Sequence, residues 1–162
     1  MSEPQTTYTL DEFNDLRNQN RDEEDVHIAV VEWADLQAAS RPALELLHHV
    51  PNGGSRHPAE GLALRKMGTR QGVPDLCLPV PRYCADSELS HGLYLELKSP
   101  SGRLRPEQAW WLWRLKMQGY AVAVAWGFDE ATTILDDYLR GEHAHQDSLN
   151  LKSKAEPPRH VQ

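Results

Sequence analysis

The spacing of apolar residues along the chain changes period several times, and each change marks a predicted element. From Asp22 to Ala39, "DEEDVHIAVVEWADLQAA" places Val26, Val30, Trp33 and Gln37 at helical spacing, with Ile28 and Val31 widening the stripe. Its acidic first turn suits the positive end of a helix dipole, so a helix is expected there. "ALELLHHV" reads as a short buried strand closed by the turn signal "PNGG". "HPAEGLALRKMG" reads as a short helix stopped by Gly68. A turn in "TRQGVP" precedes a strand from about Asp75 to Val80, and "PRYCADSELSH" reads as a loop.

The period then becomes two. In "GLYLELK", Leu93, Leu95 and Leu97 share one face, and Tyr94, Glu96 and Lys98 share the other. Pro106 suits the first turn of a helix expected from about Arg105 to Gln118 and ended by Gly119. "YAVAVAWG" is a compact apolar strand, and "DEATTILDDYLR" a final amphipathic helix. Residues 1–20 are a polar N-terminal segment, 21–141 the domain, and 142–162 a polar, Pro-containing stretch expected to be a disordered tail. There is no internal repeat. The order of elements implies an α/β fold, a central mixed sheet flanked by helices.

A chain of 162 residues with 40% apolar and 25% charged content suits one soluble globular domain. No apolar run approaches the ~20 residues of a membrane span, and the first residues lack a signal-peptide core, so a cytoplasmic protein with no membrane partner is expected. Cys77 and Cys84 show no CxxC spacing; they read as reduced thiols, with no structural zinc. The net charge of −7 is uneven. Residues 1–52 carry 11 acids against three Lys/Arg, and 121–162 seven against four; residues 53–120 carry six against ten, a possible polyanion-facing surface.

The strand opened by Asp75 is expected to pair with the next as a hairpin, bringing Asp75 close to Glu96 and Lys98. Two carboxylates with the Leu97 carbonyl between them supply hard oxygen ligands suited to Mg2+. An ammonium beside them can orient water or stabilise charge developing on a phosphodiester. On spacing alone, Glu96 and Lys98 would be an exposed strand pair worth little in stability. The preceding "GVPD" turn and the following "GRLRPEQ" strengthen the functional reading.

"GVPDL", "YLELKSPSGRLRPEQ" and "GYAVAVAWGFDEA" together closely resemble the virus-type replication-repair nuclease (VRR-NUC) domain family of the PD-(D/E)xK superfamily. "HHVPNGG" and the acidic start of the first helix match it too, and the resemblance spans about Asp22 to Arg140. It implies a restriction-endonuclease-like core and cleavage of DNA phosphodiesters dependent on Mg2+ or Mn2+. Position by position, it makes Asp75 the PD aspartate, Glu96 and Lys98 the ExK pair, and Gln108 the glutamine after the proline. It also matches a first-helix glutamate to Glu23, with Glu24 the second choice; Glu23 shares a face with His27. The implied metal ligands are Asp75, Glu96, the Leu97 carbonyl and Glu23. Asn52 fits either the site or a pure turn role. Arg105 stands where relatives often have a small polar residue, which removes a side-chain helix cap and adds a cation.

Arg65, Lys66, Arg70, Arg103 and Arg105 are candidate phosphate contacts. Alternation points His48 and His49 to opposite faces, so they read as core or edge histidines, and "EHAHQ" as part of the tail. In the helix after Pro106, Gln108, Trp111, Leu112 and Leu115 face one way, while Trp110, Trp113 and Met117 face roughly the other. A helix apolar on both sides needs a second cover, either a C2 homodimer partner or the chain's own N-terminal segment or tail. The homodimer is the expected one. The competing function is a non-catalytic DNA-binding or assembly protein on a nuclease fold.

Overall fold

The computed structural model describes residues 22–52, 58–143, 146 and 149–157. In chain order these form α1 (Glu23–Ala38), a 3-10 helix (Pro42–Leu46), β1 (His48–His49), α2 (Pro58–Lys66) and β2 (Leu76–Leu78). Next come β3 (Arg82–Tyr83), β4 (Leu89–Ser90), β5 (Leu93–Lys98), α3 (Pro106–Lys116), β6 (Ala121–Trp126), α4 (Phe128–Arg140) and α5 (Leu151–Lys154). The main sheet has the order β1-β2-β5-β6 and is mixed: β1/β2 and β2/β5 are antiparallel, β5/β6 parallel. Parallel strands need a long crossover, and α3 supplies it.

The period-two pattern sets the layers. Leu93, Leu95 and Leu97 of β5, with Leu76 and Leu78 of β2 and Ala121, Ala123 and Ala125 of β6, face α1 and α4. There they meet Val26, Val30, Phe128, Ala131, Ile134, Leu135 and Tyr138. Val122 and Val124 face the opposite way, onto Leu112 of α3, with Tyr94, Leu104, Leu115 and Trp126 around them. Burying one leucine contributes about 1.5–3 kcal/mol. A one-residue slip of β5 would turn its three leucines to the other face, so the apolar side locks the register of the polar side.

Three expectations are corrected. "ALELLHHV" is not a buried strand: Pro42 starts a 3-10 helix in which only Leu44 is buried, and the strand shrinks to the exposed pair His48–His49. Proline's fixed φ and missing N–H favour a helical first turn over a ladder. The loop after β2 contains a small antiparallel hairpin, with Arg82 opposite Ser90 and Tyr83 opposite Leu89. The C-terminal stretch is not wholly unstructured. Leu149 and Leu151 pack on the Leu112 cluster, and the Glu156 N–H donates to the Pro106 carbonyl. The Gln146 amide bonds both the N–H and the carbonyl of Val124 on the outer edge of β6.

α5 therefore covers part of α3. Trp110 and Trp113 are half-buried with Arg114 lying over both rings, and Met117 is the exposed end of that stripe. Both cysteines are free and buried. No helix among the described residues is long and apolar enough to cross a membrane. The N-terminal segment 1–20 and His145 of "EHAHQ" lie outside the described residues, whereas His143 lies within them.

Candidate active site

The β2/β5 register pairs Leu76 with Leu95. Carried one residue further, it sets Asp75 opposite Glu96, at a cross-strand distance where side chains interact. Asp75 is held from two sides: its Oδ2 accepts from the Leu97 N–H and its Oδ1 from Asn52 Nδ2, both at 2.8 Å. Its carbonyl accepts from the Val50 N–H at 2.9 Å.

Glu96 lies on the α3 face of the sheet and is only 1% exposed. Its Oε1 accepts from Lys98 Nζ at 2.7 Å and from Gln108 Nε2. Gln108 sits in the first turn of α3, and its own Oε1 accepts from the Arg105 N–H at 2.9 Å. One side chain thus ties off an orphan donor at the helix start and holds the buried carboxyl. Arg105 gives no side-chain cap of its own. Glu96 Oε2 is buried and has no hydrogen-bond partner.

Lys98 is 2% exposed and its ammonium has three acceptors: Glu96 Oε1, the Leu97 carbonyl at 3.0 Å and Glu23 Oε1 at 3.2 Å. Glu23, not Glu24, therefore meets the ExK pair. It does so from the first turn of α1, whose N-cap is Asp22. The loop after β5 closes over it: a Cβ on Gly102 would lie 3.2 Å from Glu23 Oε1 and 3.1 Å from the Ser99 carbonyl. Trp126 Nε1 fixes that loop through the Gly102 carbonyl.

Two carboxylates, Glu23 and Glu96, thus share one ammonium, and a third, Asp75, stands across the strands from Glu96. Burial pushes the Glu96 carboxyl up to about 8; Asp75 reinforces the shift and Lys98 opposes it. A carboxyl so costly to ionise is one that a divalent cation would ionise, because the cation inverts the local electrostatics.

Beside Asp75 opens a cleft of about 340 Å³ lined by Glu23, Glu24, His27, Ile28, His49, Asn52 and Asp75. Two of its residues, His27 and His49, were not expected beside Asp75. His49 Nδ1 donates to the Asp75 carbonyl at 3.0 Å, and its ring meets that of His27 edge-on at 4.7 Å. Burial, and secondarily His49, lower the pKa of His27, with Asp75 opposing. The missed signal was position: His49 directly precedes the turn leading to Asn52, and β1 pairs with the strand that follows Asp75. Asn52 is at the site and orients Asp75. The candidate cations Arg65, Lys66, Arg70, Arg103 and Arg105 are all exposed. Arg103 and Arg105 follow the loop over Glu23, and the other three belong to the segment between Asn52 and Asp75.

The sequence model of the VRR-NUC domain matches residues 11–129. The chain belongs to the VRR-NUC family. Its fold is similar to that of a solved VRR_NUC domain protein, with a TM-score of 0.63 and 26% sequence identity, covering 77% of this chain and 93% of that one. No curated protein matches the chain. Membership places it among nuclease folds, and the four-stranded mixed sheet flanked by helices is the shared VRR-NUC architecture.

Proposed function

We propose that this VRR-NUC chain is a divalent-metal-dependent DNA endonuclease that hydrolyses phosphodiester bonds and selects DNA by structure. The observation that carries this reading is Glu96: a buried carboxyl with one oxygen shared by Lys98 and Gln108 and the other unpartnered. Such an orphaned oxygen beside a second carboxylate fits a hard cation. Among the described residues no three His, Cys, Asp or Glu side chains could hold an ion by themselves. Mg2+ or Mn2+ would accordingly be held by Asp75, Glu96 and the Leu97 carbonyl, with water filling the remaining positions and Glu23 at the periphery.

When bound, the cation supplies Lewis-acid chemistry, polarising a phosphoryl oxygen and making water more acidic. The chain's own groups do the rest. Lys98 stabilises negative charge developing on the phosphate from a site already shielded from solvent. Gln108 and Asn52 hold Glu96 and Asp75 in place. Arg103 and Arg105 on one side, and Arg65, Lys66 and Arg70 on the other, contact backbone phosphates. Backbone contacts position a duplex without reading bases, so discrimination falls on DNA shape. A C2 homodimer would present two such sites to two strands; sedimentation at micromolar concentration tests it, and a monomer rejects it.

The test of the function is a cleavage panel of duplex, flap, single-stranded and four-way-junction DNA with matching RNA, with Mg2+, Mn2+ or chelator. Metal-dependent scission of at least one DNA substrate is expected. DNA binding without scission of any substrate in either metal would instead favour the non-catalytic reading.

A further inference from the structure

The excursion between Asn52 and Asp75 is described from Pro58 to Pro74, and both of its flanking residues lie at the candidate site. Asn52, before this excursion, bonds the carboxylate of Asp75, after it, at 2.8 Å. The returning limb is pinned again at α3. Trp111 Nε1 donates to the Gln71 carbonyl at 3.0 Å, and Gln71 Nε2 to Glu107 Oε1 at 3.2 Å. Gly72, at φ +84°, packs so closely that a Cβ there would lie 2.9 Å from Glu107. The base of the excursion is therefore fixed beside Gln108, and α2 stands on that base.

α2 contributes to neither hydrophobic cluster, and none of its described side chains is buried. Gly61 and Leu64 are half-buried on one side; Ala59, Leu62, Ala63 and Lys66 are exposed on the other. Arg65 flanks that outer face, and Met67 and Arg70 follow where the helix ends. Leu62 is 49% exposed and Met67 83%. A helix this short is marginal alone in water, and this one gains little from packing. Three cations against the single acid Glu60, in a chain of net charge −7, mark this segment as complementary to a polyanion.

We propose that α2 is a wedge for interrupted DNA. Arg65, Lys66 and Arg70 hold phosphates beside the cut, while Leu62 and Met67 press into the base stack there. Apolar side chains next to phosphate-binding cations have no partner on the DNA backbone, but they have one between unstacked bases. Opening a continuous stack carries a cost that a nick, mismatch, flap or junction has already met, so the wedge favours those substrates. The inference rests on the DNA endonuclease reading and names the substrate feature it selects.

The test places 2-aminopurine next to the cut in continuous and nicked duplexes. Fluorescence is read on binding of the full-length Glu96→Gln protein, with and without Leu62→Ser and Met67→Ser. A several-fold rise is expected with the wedge intact and less than half of that rise without it, at saturating protein and with unchanged circular dichroism. In the cleavage-competent background, the preference for nicked over continuous duplex is expected to fall at least about fivefold. A fluorescence rise or a preference that survives both substitutions overturns the wedge, even if cleavage remains metal-dependent. Loss of binding to phosphatidylserine–phosphatidylcholine vesicles on those substitutions, with the DNA preference unchanged, also overturns it and assigns α2 to a membrane surface. Absence of scission of every DNA in both metals is a different result, because it removes the endonuclease reading itself.

Discussion

The two ends of the sheet both gather charged side chains, and they do so in opposite ways. At the end remote from Glu96, a cleft of about 330 Å³ is lined by Arg41, Arg82, Arg140 and Asp136 with Pro42, Ala43 and Leu139. Each cation there has its own partners. Arg41 pairs with Asp136, Arg140 with Asp137 and Glu142, and Arg82 donates to the carbonyls of Leu139 and Pro81. These groups are part-exposed or fully exposed, so solvent screens the pairs and each adds little to stability. At the other end, Glu96 and Lys98 are out of solvent, two carboxylates, Glu23 and Glu96, share one ammonium, and Asp75 lies opposite Glu96 across the strands. Burying charge without one-to-one pairing is destabilising, and the Glu96 carboxyl accordingly holds its proton up to about pH 8 unless a proposed cation displaces it. Burial and shared partners, rather than the presence of charge, distinguish the end that carries the candidate site.

The comparison breaks most readily at Glu96. Glu96→Gln is expected to lower cleavage by about three orders of magnitude, or ~4 kcal/mol of transition-state stabilisation. The same substitution reports on stability in metal-free protein. Glu96 is shifted from 4.5 to about 8, so the native state keeps a proton that the unfolded state loses. Its contribution to stability is full below the unfolded value and is lost as pH rises through about 8. Between these values wild-type stability should fall by up to ~1.4 kcal/mol per pH unit. Urea melts in chelator across that range should show a flatter profile for Glu96→Gln.

Lys98→Ala is expected to lower cleavage at least ~100-fold while retaining Mn2+, because an ammonium cannot be a ligand. Calorimetric loss of Mn2+ binding would reassign Lys98 to building the metal site. Asn52→Ala should reduce kcat about tenfold with little change in KM, since it removes one hydrogen bond to a carboxylate and no substrate contact. A rise in KM alone would make Asn52 a DNA contact instead. The smallest effect belongs to the remote end: Arg41→Ala or Asp136→Ala should change stability by no more than ~1 kcal/mol and leave cleavage unaltered. A larger loss of cleavage would erase the contrast between the two ends.

Much of the fold was legible where a period is long and both faces are occupied. β5 alternates cleanly, and its leucines fix the face and register that set Glu96 opposite Asp75. α1, α3, β6 and α4 likewise follow from their apolar spacing. Short elements were not legible, because two or three residues carry no period. "ALELLHHV" mimics a strand until Pro42 is weighed, and the β3/β4 hairpin hides in polar sequence. At the C-terminus, Leu149 and Leu151 make the docking contacts inside a polar, Pro-containing stretch whose average composition conceals them. At the site, the linear motif indicates Asp75, Glu96, Lys98 and Gln108, and the structure brings these residues together. His27 and His49 were harder, since their meeting depends on β1 folding back beside Asp75, which no local spacing encodes.

On the proposed function, the Asp75–Glu96–Lys98 cluster becomes a nuclease when a divalent cation completes it. Nicking of covalently closed circular DNA tests this most directly, with wild-type and Glu96→Gln protein purified identically and assayed in Mn2+, Mg2+ and chelator. Relaxed or linear product is expected from wild-type protein in at least one metal, none in chelator, and none from the variant. Equal nicking by the two proteins, or nicking that persists in chelator, would contradict it.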